Sequence, residues 1–242
     1  MDVKRFQEEL AALLMEEPAR RSFARDREGH AKRASLKGKE ARILAGLDAD
    51  DVGYFASRRE IDRRGMLRAD LPRSFDVLDE QGRVLLYFRA FPYALEDPLA
   101  EAKRFARWAK QAARKGQVPA LLADLATFER AHLAVRSARP RAARASARPR
   151  RVPGLVLLQL QHDLGEEPPA PRPCSVVLVP TPSGVEAGEV DALTWHVLRA
   201  ADGKRTVAQV AALAARRAGA APAKAGAAVR RLAREGFLSP LE

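Results

Sequence analysis

The sequence predicts a mainly α-helical protein in which a helical N-terminal domain precedes a small α+β domain of winged-helix-like architecture. Apolar residues recur at helical spacing through the first 135 residues, whereas short β-branched and leucine-rich runs bounded by proline follow residue 152. An arginine-rich segment separates the two regions. Because 242 residues suffice for two modest domains, we place the domains at 1–135 and 152–242 and a linker at 136–151.

The N-terminal region contains a series of amphipathic helices. The first carries its apolar residues at helical spacing, namely Phe6, Leu10, Leu13 and Leu14, and Pro18 is expected to close it. Further helices are predicted around Phe23, from 36 to 47, from 51 to 71, from 83 to 95, from 99 to 116 and from 120 to 136. The segment at 83–95, RVLLYFRAFPYAL, is apolar and aromatic enough for a strand, but its helical surroundings favour a buried helix.

The region after residue 152 changes to the period of β-strands. Strands are predicted in VPGLVLLQLQ at 152–161, CSVVLV at 174–179 and GVEAGEV at 184–190. Three helices are predicted after them, within 189–201, 206–219 and 222–238. Thr206 is a suitable N-cap, and Pro222 suits the first turn of the last helix. Strands followed by three short helices predict the small winged-helix-like domain.

The segment RSARPRAARASARPRR at 136–151 concentrates the positive charge of the chain. It contains seven arginines and no acidic residue, and so carries +7 of the net charge of +12. The residues before it carry +4 and those after it +1. It lacks large apolar residues, and Pro140 and Pro149 interrupt helix, which predicts an extended, mobile linker. The alternative interpretation is a nucleic-acid-binding arm, because seven phosphate contacts would give tight binding at low salt.

Composition also bounds the cellular setting. The chain has no apolar run of about eighteen residues, so no transmembrane span is expected. Acidic residues near the start interrupt the apolar run that a signal peptide needs, so we expect no export. Cys174 is the single cysteine and offers neither a disulfide within the chain nor a thiolate cluster. These features predict a cytoplasmic protein without a membrane partner.

The sequence lacks the motifs of the common enzyme classes. It has no H-E-x-x-H, no Walker-type glycine loop, no G-x-S-x-G and no nucleotide-binding glycine fingerprint. Glu129 and His132 form one E-x-x-H pair, but a di-iron bundle needs two such pairs and two more glutamates. The acids Asp48, Asp50 and Asp51 cluster at a predicted helix start, where they serve as caps. We therefore expect no catalytic residue, no metal site and no cofactor in this chain.

Two features remain as candidate binding sites. The last helix exposes Lys224, Arg230, Arg231 and Arg234, as a DNA recognition helix does, but it lacks the Asn and Gln that read adenine edges. The other candidate is an open sheet edge in residues 175–188, which would accept a peptide strand beside the helix at 222–235. The candidate peptide-binding residues are Val176, Val177, Leu178, Val185, Arg230, Arg231 and Arg234. In the alternative, the strand residues pack inward and the arginines only solvate the helix.

Several stretches resemble one protein family. They are FQEELAALLMEEP, the run LADLATFERAHLAVR with its D-L-A element and following Glu, and the tail SVVLVPTPSGVEAGEVDALTWHVLRAADGKRTVAQVAAL with VRRLAREGFL. These resemble the partner proteins of multinuclear non-haem iron-dependent oxidative enzymes, which act in the biosynthesis of peptide natural products such as methanobactin. The tail is similar to the winged-helix-like elements that recognise precursor peptides. The arginine segment has no counterpart in this resemblance.

The resemblance implies an accessory subunit without chemistry of its own. Its N-terminal domain would dock on the iron-dependent oxidative enzyme, and its C-terminal domain would bind the leader of a ribosomally synthesised precursor peptide. Positioning the peptide's cysteines at the iron site would be its contribution. Relatives have also been described as DNA-binding, so the alternative function is a winged-helix transcriptional regulator. A third alternative is an adaptor with another kind of protein target.

Overall fold

The computed structural model describes residues 3–91, 95, 97–138 and 145–241 of the chain. Within these residues the protein is mainly helical, with twelve α-helices and one three-stranded antiparallel sheet near the C-terminus. The helical character and the small sheet confirm the coarse fold class predicted from the sequence. The backbone divides into two compact units, residues 1–101 and 102–242, which are described separately below.

Within its described residues, the first unit contains seven complete helices. They are α1 (Val3–Met15), α2 (Glu17–Arg25), α3 (Arg27–Arg33), α4 (Gly38–Ala45), α5 (Ala49–Asp70), α6 (Pro72–Glu80) and α7 (Val84–Ala90). Helix α7 confirms the choice of helix over strand for this apolar segment, but its expected burial holds only for Val84 and Tyr87, whereas Leu85 and Leu86 are exposed. Helices α3 and α6 were not predicted, because each is short, with seven and nine residues. Pro72 is the first residue of α6, a position where its missing N–H costs no helical hydrogen bond.

Local hydrogen bonds explain where two of these helices begin. Asp48 caps α5, since its carboxylate accepts from the backbone N–H of Asp50 at 2.7 Å and of Asp51 at 3.3 Å. The predicted capping role of this acidic cluster is confirmed for Asp48. Asp26 caps α3 in the same way by accepting from Gly29 at 2.8 Å.

The core of the first unit contains a hydrogen-bonded histidine. The buried apolar residues around it are Leu13, Phe23, Ala31, Leu36, Leu44 and Val52. His30 Nε2 lies 2.6 Å from Glu9 Oε1, and its Nδ1 lies 3.3 Å from Ser22 Oγ. The ring of His30 also contacts Phe23 edge to face, with centroids 5.7 Å apart. This histidine therefore joins three helices of the core, a role that its isolated position in the sequence did not indicate.

The elements of the second unit follow a helix that crosses the boundary, α8 (Pro98–Arg114). They are α9 (Ala120–Ser137), β1 (Val156–Leu160), β2 (Cys174–Thr181), β3 (Gly184–Glu189), α10 (Ala192–Ala200), α11 (Val207–Ala218) and α12 (Pro222–Arg234). Thr206 begins α11 with a capping box, in which it and Gln209 exchange side-chain and backbone hydrogen bonds. Both the predicted cap and the predicted position of Pro222 are confirmed.

The sheet has the order β1-β2-β3 and is covered on both faces. Val177 on one face belongs to the buried core of α10, α11 and α12. Leu158, Leu160 and Leu178 occupy the opposite face and are also buried. Helix α9 contacts all three strands and covers this second face. The compact unit thus includes α9, whereas the predicted domain boundary at residue 135 lies near the C-terminal end of α9.

The second half of the arginine segment is attached to the C-terminal helices. Arg150 pairs with Asp202 and Arg151 with Leu238 in antiparallel bridges. Ser239 N–H donates to the carbonyl of Arg150 at 2.7 Å, and Pro149 is buried. This half differs from the predicted extended linker because its backbone groups find partners that its composition does not reveal. Residues 139–144 of the segment lie outside the described part of the chain.

Helix length and hydropathy also bear on membranes. Among the helices described, none combines the length and the apolar character required to cross a lipid bilayer.

Candidate functional site

The predicted sheet edge at 175–188 contains two strands with different environments. Strand β2 is the central strand, because it pairs with β1 on one side and β3 on the other. Val177 and Leu178 are therefore buried, at 3% and 0% exposure, and Val176 is half-buried. Our assignment of Val176, Val177 and Leu178 to an open edge is corrected: their backbone groups belong to the sheet, and a peptide cannot pair with them.

Strand β3 is an edge strand of this sheet, and Val185 lies on it. The amide of Val190 donates to the carbonyl of Ser175 at 2.8 Å, which fixes the phase of the ladder. Because hydrogen-bonded and non-hydrogen-bonded pairs alternate in antiparallel sheets, the backbone groups of Val185, Ala187 and Glu189 point away from β2. This outer edge presents donors and acceptors at the spacing that an added strand requires.

An arginine fixes the C-terminal end of β3. Arg172 donates to both carboxylate oxygens of Glu189 at 2.8 Å and also forms an ion pair with Asp163. The hydrogen bond from Arg172 lowers the pKa of Glu189. The pKa of Asp163 is lowered first by the backbone N–H of Gly165 and next by Arg172. Glu189 thus holds the edge strand to the loop that precedes β2, and Asp163 of that loop fixes the arginine.

A cationic groove begins two residues after β3. It is lined by Asp191, Thr194, Lys224, Arg231 and Arg234, among others, and has a volume of about 290 Å³. Asp191 caps α10 by accepting from the Thr194 N–H at 2.6 Å, and this hydrogen bond lowers the pKa of the carboxyl. Arg231 donates to Thr194 Oγ1 at 3.2 Å. With three cations and one capped carboxylate on its walls, the groove suits an acidic ligand.

The predicted arginines of α12 are divided between two grooves. Arg231 and Arg234 line the groove beside α10, whereas Arg230 lines a neighbouring one with Arg234, Pro240 and Leu241. Arg234 therefore lies on both. Val185 lies near the start of β3, and Asp191 follows the end of that strand. Because Asp191 also lines the groove beside α10, the outer edge of β3 ends two residues before this groove begins. Sequence reasoning omitted Asp191 and Ala187; the capping motif D-A-L-T was the available sign of the former.

A Cys–His–Asp grouping lies on the face of the sheet that α9 covers. The Nδ1 of His162 is 2.7 Å from Asp124 Oδ2, and Cys174 Sγ lies 3.4 Å from the carbonyl oxygen of His162. The thiol donates to a backbone carbonyl, and burial raises its pKa. Such an environment stabilises the thiol over the nucleophilic thiolate. These contacts fasten the sheet to α9.

The E-x-x-H pair lies on α9 with one member buried. Glu129 is 7% exposed, and the half-buried ring of His132 stacks on Phe128 with centroids 6.3 Å apart. The pair therefore does not lie on a fully solvated helix face, since the side chain of Glu129 is buried. Within the described ranges, no three His, Cys, Asp or Glu side chains come together as a metal site would require.

Comparison with known proteins adds no assignment. No protein-family model matches the chain, and no curated protein is significantly similar to it.

Proposed function

We propose that this chain is a non-catalytic partner subunit that binds the leader of a ribosomally synthesised precursor peptide and presents the peptide to an iron-dependent oxidative enzyme. The observation that supports this proposal most is the open outer edge of β3. It lies in a unit whose three strands are followed by three helices, in the order expected from the resemblance of the tail to peptide-recognition elements. We interpret this part, 152–242, as winged-helix-like.

The leader adds to the sheet as a fourth strand beside β3. Main-chain hydrogen bonds to Val185, Ala187 and Glu189 supply affinity that is independent of the peptide's side chains. Specificity comes from the groove that follows the strand, where Lys224, Arg231 and Arg234 line the walls. Acidic leader residues would pair with these cations, and each such contact is a charge-assisted hydrogen bond.

The first unit supplies the surface that docks on the enzyme. Large apolar side chains are exposed on its helices, including Tyr54 and Phe55 of α5 and Leu85 of α7. Contiguous exposed apolar surface marks sites of protein association. The chain positions the precursor peptide, and the enzyme supplies the iron and the oxidative chemistry.

Calorimetry with the full-length chain tests this proposal. The titrant is the leader peptide of a short cysteine-containing precursor whose gene lies beside the gene of this chain. The full chain is required because residues 152–242 alone would lack α9, leaving Leu158, Leu160 and Leu178 without cover. Binding of the leader, together with co-purification of a neighbouring iron-dependent oxidase, supports the proposal. Absence of leader binding by a folded chain would contradict it.

A DNA-binding regulator is the second candidate, and the arginine segment is the observation that favours it. Arg136, Arg148, Arg150 and Arg151 are exposed, and none forms an ion pair with another described residue. Binding through these cations alone would be weak, indifferent to sequence and steeply dependent on salt. A footprint on one defined operator that persists at physiological salt would favour the regulator over the partner subunit.

A further inference from the structure

The exposed apolar side chains of the protein are concentrated in its first unit. The large apolar residues with the greatest exposure are Val3, Ile43, Tyr54, Phe55, Ile61, Met66, Leu85, Leu86 and Leu95. Four of these lie on α5, where Tyr54, Phe55 and Ile61 are 65%, 57% and 61% exposed. Within described residues 102–241, no large apolar side chain reaches comparable exposure. The first unit therefore carries the surface that association with another protein would cover.

A groove of about 360 Å³ opens on this unit beside α5. Its apolar walls are formed by Leu14 and Met15 at the end of α1, Met66 of α5 and Phe88 of α7. Met66 is 45% exposed, so this wall of the groove is accessible to a ligand. The volume is near the lower end of the range for binding pockets, and it suits one or two large side chains of a protein ligand.

The floor of the groove is fixed by a buried polar network. Arg63 lies with its guanidinium carbon 4.4 Å from the centroid of the Phe88 ring and donates to Glu101 at 3.3 Å. The hydroxyl of Tyr87 donates to the same carboxylate oxygen at 2.8 Å. Because Arg63 and Glu101 are nearly inaccessible, at 10% and 9% of their side-chain surface, this network holds Phe88 in place before a ligand arrives.

The rim of the groove has an excess of positive charge. Two acids on the rim are already neutralised: Glu60 pairs with Arg64 at 3.0 Å, and Asp62 pairs with Arg58 at 3.3 Å. Arg59 lines the groove, is exposed and makes no ion pair within the described residues.

Arg20 adds a second cation to the rim. Its Nη1 donates to the carbonyl of Leu13 at 3.3 Å, and within the described residues it has no carboxylate partner. Arg20 and Arg59 thus leave about two positive charges facing an apolar groove. A ligand with an apolar side chain and a neighbouring carboxylate satisfies both features.

We propose that this groove receives an acidic amphipathic helix of the partner enzyme. The inference rests on the proposed function and identifies the docking segment of the partner by its chemistry. Its apolar side chain inserts between Met15, Met66 and Phe88, and its Asp or Glu binds Arg59. A helix is the expected form, because the groove lies between helices and the exposed Phe55, Arg59 and Met66 of α5 share one face of that helix, at the i, i+4, i+11 spacing along which a second helix packs.

Two synthetic peptides test the chemistry of the groove with the full-length chain. Both are amphipathic helices of about 18 residues with the same leucine and phenylalanine stripe; one is flanked by glutamate and the other by lysine. By fluorescence anisotropy, the glutamate peptide is expected to bind at least tenfold more tightly. Met66→Glu and Arg59→Glu should each weaken its binding at least tenfold.

Matched controls separate the groove from the general surface. Ile43→Glu on α4 changes an apolar residue that is 46% exposed, against 45% for Met66, and Arg42→Glu reverses an exposed charge on the same helix. Neither residue lines the groove, so both variants should bind the glutamate peptide like the original chain. Equal binding of the two peptides, or of the groove variants, would overturn the proposal.

Two further measurements are binding of the enzyme to the original chain and to the groove variants, and sedimentation velocity of the chain alone. They show whether a negative result contradicts the groove assignment or the proposed function. If the enzyme binds the original chain and both groove variants equally, the groove assignment fails and the proposed function stands. If the enzyme does not bind while the peptides discriminate, the proposed function fails and the chemistry of the groove stands. Sedimentation velocity of the chain alone should show a monomer. A dimer that Met66→Glu dissociates would instead assign this face to a second copy and overturn the proposal.

Discussion

Asp124 of α9 and His162, which follows β1, are joined by a hydrogen bond of 2.7 Å between Oδ2 and the ring Nδ1. The same oxygen accepts from the backbone N–H of His162 at 3.0 Å and of Gln161 at 2.7 Å. The two residues lie on opposite sides of the arginine segment in sequence. The side chain of His162 is only 15% exposed and that of Asp124 only 14%. This contact fixes α9 to the sheet and makes the helix part of the second unit.

We expect Asp124→Ala to destabilise the second unit by about 2 kcal/mol, because it leaves two backbone donors without their acceptor. Urea unfolding followed by circular dichroism measures the change. Asp76→Ala is the control, since Asp76 is exposed and forms an ion pair with Arg68 at 3.1 Å. Surface pairs of this kind contribute about 0–1 kcal/mol. Equal effects of the two substitutions would contradict the structural role of Asp124.

The local features of this fold were predictable, whereas the partners of its surfaces were not. Thr206 and Asp48 determine helix starts through bonds within three residues, so the sequence alone identified them. The apolar periodicity of α9 predicted a buried face, but it contains no information about what covers that face. The strand at 174–179 was recognised from its composition, yet its central position depends on pairing with both neighbours. The assignment of Val177 and Leu178 to an edge was wrong for this reason.

Limited trypsin digestion should distinguish the two halves of the arginine segment. Because residues 136–145 lack apolar anchors in sequence, we expect the first cut there. Arg150 and Arg151 should be cleaved later, since their backbones are paired with Asp202 and Leu238. Mass spectrometry of the first fragments identifies the site. First cleavage at Arg150 or Arg151, or in a different part of the chain, would contradict this expectation.

His196 of α10 should make the protein less stable in mild acid. Burial lowers its pKa, and Arg217 and Arg199 lower it further. The unfolded chain, with a histidine pKa of about 6.5, then binds more protons than the folded one, so stability falls as pH falls below that value. We expect His196→Gln to reduce the fall in Tm between about pH 7.5 and about pH 5.5. His132→Gln on α9 is the control, and an unchanged pH dependence in His196→Gln would refute the assignment.

The isolated chain should purify without stoichiometric iron or zinc. The reason is the sequence: one cysteine, four scattered histidines and a single E-x-x-H pair do not complete a ligand set. Metal analysis of the purified protein by mass spectrometry measures the content. About one equivalent of iron, lost in a variant with Glu129→Ala and His132→Ala, would contradict the prediction.

Proline at position 185 should weaken peptide binding without breaking the sheet. Val185 lies opposite Pro180 at a pair that is not hydrogen-bonded, so its N–H points to the open edge. Val185→Pro removes that donor and leaves the bonds between β2 and β3 intact. Val185→Thr is the matched control, because it changes the side chain and retains the N–H. Thermal unfolding of both variants confirms that the sheet is retained.

Binding of the same leader peptide should depend both on the outer edge of β3 and on the arginines of α12. By calorimetry we expect Val185→Pro, Arg230→Glu and Arg234→Glu each to weaken binding at least tenfold, about 1.4 kcal/mol. Arg216→Glu, an exposed position on α11, should have little effect. Loss of affinity in Val185→Pro but not in the arginine variants would place the peptide on the edge and exclude the grooves of α12. Full binding by Val185→Pro would show that the peptide does not pair with β3 at Val185.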